Sequence, residues 1–296
     1  MSTPDEPGER RLTGPDSAPP STAVAAKPGT GARTVRTIGE VLITAGLVVL
    51  LFVVYELYVT DIFSAGKQAT ASSQLDDDWK NGRELRSDLV DGKAFARLYI
   101  PSFGSDYHFT VQQGVGPDAL EVGPGHYKET ALPGEPGNFA MAGHRVGKGA
   151  PFNDLDQLAS CDAVVVETVN DFFVYRVLPH DDEVADWAAT KGVDPKCAKV
   201  KPLADPAQQD GGPYGQTAGR KIVTPNRGDA VAPVPYRADN PLPKAGQVAL
   251  LTLTTCHPQF SDRERLIVHA VLTNQFAKQP GNGGYPQLLK QIGEGA

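Results

Sequence analysis

The chain passes from a polar segment to an apolar one and back before it reaches a region of short alternating runs. Residues 1–36 are rich in Pro, Gly, Ser, Thr and Ala and carry few large apolar side chains. Such a segment cannot bury enough apolar surface to offset the entropy lost when its backbone is ordered. The pattern therefore predicts a disordered tail over residues 1–36.

The next segment is continuously apolar and predicts a membrane-spanning helix. Residues 41–55 carry no charge and are dominated by Val, Leu, Ile and Phe. A helix over residues 37–60 would be about 36 Å long, enough to cross the roughly 30 Å hydrocarbon core of a bilayer. A cleaved signal peptide is the alternative, because Ala69-Thr70-Ala71 resembles a cleavage site, but that site lies far beyond the apolar run.

The charges that flank this apolar run predict its orientation. Lys27, Arg33 and Arg36 lie shortly before it, whereas Lys67 follows it at a similar distance. Basic residues concentrate on the cytoplasmic side of membrane spans. We therefore expect a single-pass protein of the cell membrane, with its N-terminus in the cytoplasm and the remainder outside.

The segment after the span, residues 61–94, is expected to form a polar extracellular stalk. A helix is predicted over residues 78–89 within it. The acidic triplet Asp76-Asp77-Asp78 is interpreted as a solvated face, because consecutive carboxylates do not converge on one side of a helix as metal ligands must.

From Phe95 onward, short runs bounded by Gly and Pro predict β-strands and very little helix. A short helix with proline in its first turn is predicted over residues 117–122. Many short strands of this kind indicate an all-β fold, either a small barrel or a sandwich. Residues 179–220 are interpreted as a long inserted loop, and residues 277–296 as a C-terminal tail. Strands are predicted at 95–100, 108–113, 138–144, 162–168, 171–178, 221–224, 230–232, 248–255 and 266–272.

Composition excludes some classes of function. The 28 basic and 35 acidic residues give a net charge of −7. Nucleic-acid-binding proteins usually carry an excess of basic residues, so we expect no nucleic-acid partner. The 3 cysteines are too few for a disulfide scaffold and lack the spacing of a metal-binding finger.

Candidate chemistry gathers at the ends of three predicted strands. Cys256 ends one apolar strand and Arg265 begins the next, so antiparallel pairing would put them at the same end of a sheet. A guanidinium beside a thiol favours the thiolate and can hold an oxyanion in a transition state. His144 ends another strand, and a distant Cys and His are a candidate nucleophile with its acid–base partner.

Together these residues resemble the sortases, the membrane-anchored cysteine transpeptidases of Gram-positive bacteria. The segment Thr252-Leu253-Thr254-Thr255-Cys256 resembles the sortase nucleophile strand, and Arg265-Leu266-Ile267-Val268 resembles the arginine strand. Ala142-Gly143-His144-Arg145, followed by Pro151-Phe152-Asn153-Asp154-Leu155, resembles the histidine strand and its loop. The resemblance covers residues 97–273 and implies an eight-stranded sortase-type β-barrel, preceded here by the single transmembrane helix.

The resemblance also implies roles for individual residues. His144, Cys256 and Arg265 would be catalytic, and neither a metal nor an organic cofactor would be required. The segments around Cys256-His257-Pro258 and Tyr127 are similar to class E sortases of actinobacteria, which prefer an LAxTG-type sorting signal to LPxTG. Tyr127 and Thr255 would then contact the signal. The long inserted loop departs from class E, so the signal preference stays open.

The implied partners are secreted proteins with a C-terminal LAxTG or LPxTG signal, and lipid II or a similar amine as the acceptor. An extracellular cysteine endopeptidase that only hydrolyses is one alternative, since its catalytic residues would look the same. A pilin-polymerising sortase is another, although the sequence shows no second apolar span near its C-terminus. A non-enzymatic assembly factor is the third.

Two cysteines remain once Cys256 is set aside. Cys161 lies just before a predicted strand and Cys197 lies in the inserted loop. An oxidising extracellular compartment would allow them to pair, whereas they could also remain two free thiols. We expect the disulfide.

Overall fold

The computed structural model describes residues 30–82, 89–237, 242–278 and 284–295. The chain forms two compact units, of which the first ends at Leu50 and the second begins at Leu51. Helix α1 covers Thr30–Val54, and a π-helical turn, Tyr55–Val59, follows it. Residues 30–36, expected in the disordered tail, are therefore helical, and residues 1–29 lie outside the described residues. Among the described helices, one apolar stretch, Arg33–Val54, has the length and composition to cross a membrane.

The second unit is built around a closed β-barrel. The strands are β1 Ala94–Tyr99, β2 His108–Gln113, β3 Gly125–His126, β4 Gly137–Ala142, β5 Ala163–Glu167, β6 Asp171–Val177, β7 Arg220–Val223, β8 Ala249–His257 and β9 Glu264–Ala277. The sheet runs in the order β6-β5-β1-β2-β3-β4-β8-β9, and β9 pairs back onto β6 to close a barrel of eight strands. The pairs β2–β3 and β4–β8 are parallel, so the barrel is mixed. The predicted eight-stranded all-β barrel is confirmed.

The alternation of residues along β8 and β9 separates the barrel interior from a second buried layer. Leu251 and Leu253 of β8 pack inside the barrel with Leu266 and Val268 of β9. Burial of each such side chain stabilises the fold by about 1.5–3 kcal/mol. The alternate residues face outward, yet Ile267 is also buried, because Ala230 and Tyr236, from the segment between β7 and β8, pack against it. Cover on both faces explains why these strands read as nearly continuous apolar runs.

The inserted segment is a packed part of the second unit rather than a loose loop. Trp187, Cys197 and Val200 form a buried cluster within it. Strand β7 pairs with residues 265–268 of β9, whereas β6 pairs with residues 270–277 of the same strand. Strand β7 therefore extends the barrel wall along β9 toward Arg265. The strand predicted at 230–232 is instead part of a 3₁₀ turn, Gly228–Val231.

The expected stalk is largely a helix docked on the barrel. Helix α2 covers Thr60–Lys80, and its Leu75 is 2% exposed. The helix predicted over 78–89 is therefore misplaced: α2 ends at Lys80, residues 81–82 form a turn, and residues 83–88 lie outside the described residues. Helix α2 has few large apolar residues, so its sequence carries little amphipathic signal.

Polar contacts hold α2 in place. The side-chain oxygen of Gln68 accepts hydrogen bonds from the backbone N–H (3.0 Å) and hydroxyl (3.1 Å) of Thr110. Its amide nitrogen donates to the Val122 carbonyl at 2.6 Å. Near the end of α2, Asp76 pairs with Arg97 at 3.0 Å, and the Arg97 guanidinium lies 5.3 Å from the Trp79 ring centroid.

Two further helices complete the unit. Helix α3, Pro117–Val122, matches the predicted short helix. Helix α4, Gly284–Gln291, lies in the expected C-terminal tail, and its Leu288 is 3% exposed in a cluster with barrel residues. Glu294 pairs with the buried Arg176 at 2.9 Å. The described C-terminal residues therefore pack on the outside of the barrel.

Candidate active site

Cys256 and Arg265 are direct partners in the antiparallel β8–β9 ladder. Side chains at such paired positions point to the same face, with Cβ atoms about 4.5–5.5 Å apart. Cys256 is a half-buried free thiol. The Arg265 guanidinium donates to the carbonyls of Asp262 (2.8 Å) and Glu264 (3.0 Å), two residues near the start of β9. A thiol and a guanidinium on one face can supply a nucleophile and an oxyanion ligand.

His144 reaches the same end of the barrel through the parallel β4–β8 pairing. Ala142, the last residue of β4, pairs with Thr254. His144 lies two residues beyond Ala142, and Cys256 lies two residues beyond Thr254, so the register brings them to the same level. The strand predicted to reach His144 ends earlier, at Ala142, and one more backbone bond follows, from Gly143 N–H to the Thr254 carbonyl at 3.1 Å.

Phe152 packs closely against Gly143, the residue that follows β4. A Cβ atom on Gly143 would lie 2.6 Å from the Phe152 ring, so a larger residue would collide with it. Phe152 also donates its backbone N–H to the His144 carbonyl at 3.0 Å. The loop after His144 is thus folded back against the end of the strand.

The surroundings of His144 disfavour its charged form. Partial burial lowers the pKa of His144 below its ordinary value of 6.5, and the nearby Lys148 cation lowers it further. The Glu121 carboxylate opposes this shift. Lys148 lies in a loop attached to α2, since Gly149 N–H donates to Asp61 Oδ1 at 2.8 Å. Neutral imidazole therefore predominates at neutral pH, and the imidazolium is the minor form.

Tyr127 and Thr255, the two predicted substrate contacts, lie on opposite sides of β8. The Tyr127 hydroxyl lies 3.1 Å from Thr254 Oγ1, and Thr254 shares its strand face with Cys256. Thr255 faces the other way, is 3% exposed, and donates its hydroxyl to the Gly143 carbonyl at 2.8 Å. Strand alternation turns Thr255 toward the barrel interior, the side on which Leu251 and Leu253 also lie. Thr254, on the other face, is 5% exposed, and the substrate contact of Thr255 stays a prediction.

Arg145 belongs to the histidine motif, but the sequence did not predict that its side chain is buried beside the site. Arg145 follows His144 directly, and its side chain is 4% exposed. It donates to Asp156 Oδ2 at 2.7 Å, to His257 Nδ1 at 2.8 Å and to the Cys256 carbonyl at 3.4 Å. An arginine in a polar segment is usually a surface group, so its burial emerges only in the fold.

The remaining cysteines lie together in the structure. Cys161 and Cys197 form a disulfide with an S–S distance of 2.00 Å and a Cα–Cα distance of 5.2 Å. The bridge joins the inserted segment to Cys161, which lies two residues before the start of β5. In the described part of the chain, no group of three or more His, Cys, Asp or Glu side chains is arranged to hold a metal ion.

Comparison with known proteins gives the same family throughout. The Sortase domain family model matches residues 98–273. Two curated relatives are Sortase SrtE1 of Streptomyces coelicolor, 31% identical over 274 residues and 90% of this chain, and Sortase SrtE2 of the same organism, 36% identical over 163 residues and 50% of this chain. The chain spans 64% of the length of each relative.

A solved structure agrees with these sequence relatives. The SrtF sortase from Corynebacterium diphtheriae is 44% identical, with a TM-score of 0.56 over 68% of this chain and 96% of that one. The family match includes the strands that carry Cys256 and Arg265 and the segment that carries His144. Because that match covers more than half of its length, this chain belongs to the sortase family, and its Streptomyces relatives support the likeness to class E.

Proposed function

We propose that this protein is a membrane-anchored cysteine transpeptidase that cleaves a sorting signal between Thr and Gly. The observation that carries the proposal is the direct pairing of Cys256 with Arg265, with His144 brought to the same level by the β4–β8 register. A nucleophile, an oxyanion ligand and a proton donor at one strand end are the groups that acyl transfer from an amide needs.

In the first half of the reaction, the Cys256 thiolate attacks the carbonyl carbon of the signal threonine. The Arg265 guanidinium stabilises the oxyanion that forms on the carbonyl oxygen. The C–N bond then breaks, and the imidazolium form of His144 protonates the leaving glycine amine. The product is a thioester between the threonine and Cys256. Because burial and the Lys148 cation lower the pKa of His144, this step uses the protonation state that the site disfavours.

In the second half, an amine attacks the thioester carbonyl while neutral His144 accepts its proton. Cys256 leaves as the thiolate, which returns the site to its starting state. The proposed acceptor is the amino group of lipid II or a similar cell-wall precursor. Water in place of the amine would give hydrolysis, so the acceptor decides between a transpeptidase and an endopeptidase.

The signal preference is proposed to be LAxTG over LPxTG. Thr254 Oγ1 also lies 3.3 Å from the Met141 carbonyl, to which its hydroxyl can donate. Tyr127 would then donate to Thr254 and keep lone pairs free to accept an N–H from a bound peptide. An alanine at the second signal position has this N–H, whereas a proline lacks it.

The proposed location is the cell membrane, with the N-terminus in the cytoplasm and the catalytic unit outside. The apolar helix Arg33–Val54 supports an anchor by its length and composition. The basic residues that precede it support the orientation. An enzyme held at the outer surface would meet secreted proteins as they leave the membrane.

Mass spectrometry of the full chain in detergent tests the activity. LAxTG and LPxTG peptides are incubated with the protein, with and without triglycine. We expect a transient peptide–Cys256 thioester and a peptide–triglycine product, both absent with Cys256→Ala. Exclusive hydrolysis in the presence of triglycine would favour the endopeptidase. Cleavage of either peptide by Cys256→Ala would show that Cys256 is not the nucleophile.

A further inference from the structure

The backbone ladder between β4 and β8 stops just short of the catalytic residues. Its last bond joins Gly143 N–H to the Thr254 carbonyl, whereas His144 and Cys256 lie one and two residues farther along. A displacement of about 1 Å between reacting groups can lower a rate by roughly 100-fold. Something other than the ladder must therefore hold the two chain segments together at this level.

The Arg145 side chain makes this connection. One guanidinium nitrogen, Nη1, lies 3.4 Å from the Cys256 carbonyl and 2.8 Å from His257 Nδ1. This nitrogen carries two hydrogens and can serve both acceptors. The other, Nη2, donates to Asp156 Oδ2 at 2.7 Å. The residue after the catalytic histidine thus bonds to the nucleophile residue and to the residue that follows it.

The contact with His257 also determines where its ring proton lies. A guanidinium can only donate, so His257 Nδ1 must accept and cannot carry a hydrogen. His257 is then a neutral imidazole with its proton on Nε2. A doubly protonated ring would place two N–H groups against each other.

The burial of Arg145 argues against a purely structural role for this residue. Its side chain is 4% exposed, and its Nε atom is buried without a hydrogen-bond partner. A buried charge with incomplete hydrogen bonding is costly, and an apolar side chain at such a position is often as stable or more so. Its Asp156 partner is 47% exposed, so the ion pair itself contributes little.

We propose that Arg145 is a positioning residue, which sets the separation of His144 and Cys256 by bonding to the Cys256 carbonyl and to the Nε2–H tautomer of His257. This inference rests on the proposed function for its kinetic consequence. The tautomer expected for His257 does not depend on a substrate.

The kinetic test compares Arg145→Gln and Arg145→Lys with Arg176→Gln in the full chain. Arg176 is a matched control, since its side chain is 8% exposed and forms an ion pair with Glu294. Its neighbour across the β6–β9 ladder is Val271, which lies six residues along β9 from Arg265. With LAxTG peptide and triglycine, we expect Arg145→Gln to lower kcat at least tenfold with KM within twofold. Arg145→Lys should recover only part of the loss, because it lacks the planar fork. Arg176→Gln should keep kcat within twofold.

The tautomer test uses ¹⁵N-histidine NMR of the full chain in detergent, with the His257 signals identified by their loss in His257→Gln. In the wild type, Nδ1 of His257 should be the unprotonated nitrogen, and in Arg145→Gln the ring should become a mixture of tautomers.

A proton on Nδ1 in the wild type would overturn the inference, as would a folded Arg145→Gln with kcat within twofold of wild type. If neither peptide is cleaved, the proposed function fails, while the tautomer still decides the role of Arg145. If Arg145→Gln does not fold, the role of Arg145 is decided by the tautomer of His257 in the wild type and by the kcat of Arg145→Lys. An Arg145→Lys variant with the kcat of the wild type would contradict the inference.

Discussion

The Tyr127 hydroxyl lies 3.1 Å from Thr254 Oγ1, on the strand face that also carries Cys256, the proposed nucleophile. Backbone pairing fixes this approach, because Tyr127 N–H donates to the Ala140 carbonyl on β4 at 3.0 Å. The tyrosine therefore stands beside β8 two residues before Cys256. A peptide lying along this face would meet its hydroxyl.

Tyr127→Phe and Tyr127→Leu should narrow the preference for LAxTG over LPxTG. One lost hydrogen bond of about 0.5–1.5 kcal/mol corresponds to a change of roughly threefold to tenfold in the ratio. The measurement is kcat/KM for both peptides on each variant. Tyr285→Phe, in α4, is the control and should leave the ratio unchanged. A ratio unaffected by either Tyr127 variant would make Tyr127 a packing residue.

Arg265→Ala should lower kcat by about 100-fold or more, because a preorganised oxyanion ligand is lost. Arg265→Lys should recover only part of this activity, since a point charge does not reproduce the planar guanidinium. Arg263→Ala removes an exposed cation two residues earlier, just before the start of β9, and serves as the control. Equal losses in Arg263→Ala and Arg265→Ala would indicate a general charge effect rather than a specific ligand.

Lys148→Gln should raise the pKa of His144, because it removes a cation that disfavours the imidazolium. A higher pKa increases the imidazolium fraction at pH 7, so the alkaline limb of the kcat/KM profile should move to higher pH. Glu121→Gln should have the opposite effect, since the Glu121 carboxylate favours the imidazolium. NMR titration of His144 measures both shifts, with Lys148→Arg as the charge-conserving control. Shifts of the same sign in Lys148→Gln and Glu121→Gln would contradict this electrostatic account.

The disulfide predicts the number of free thiols in denatured, unreduced protein. One thiol, Cys256, is expected in the wild type and none in Cys256→Ala, whereas three in the wild type would refute the bridge. The bridge spans a sequence separation of 36 residues. Closing a loop of that length stabilises the fold by about 3–4 kcal/mol in the chain-entropy model. The double variant Cys161→Ala/Cys197→Ala should therefore unfold at a lower temperature.

Gln68→Ala should destabilise the catalytic unit by about 1–3 kcal/mol. It removes the hydrogen bonds that join α2 to Thr110 and Val122 and leaves buried backbone groups without partners. Denaturant unfolding of the full chain measures the change. Gln74→Ala, at an exposed position of the same helix, is the matched control and should change stability by less than about 0.5 kcal/mol. Equal effects of the two substitutions would mean that the docking of α2 does not depend on Gln68.

Much of the barrel could be predicted from the chain because its signals are local. The β2 strand and α3 helix have the bounds that their residue patterns predicted, 108–113 and 117–122. The ends of β4 and β8 were harder to predict: β4 ends at Ala142 rather than at His144, and β8 continues to His257 rather than ending at Thr255. The stalk was misread because α2 docks through polar contacts, which leave no hydrophobic period in the sequence.

By itself, the sequence determined the apolar span, most of the strands and the three catalytic candidates, since each of these depends on neighbouring residues or on a motif. Only the tertiary structure decided that Tyr127 stands against Thr254, that Thr255 faces the barrel interior, and that Arg145 is buried behind Cys256. These relationships depend on strand register. A shift of one residue exchanges the two faces of a strand, and the pairing that sets the register joins residues far apart in the chain.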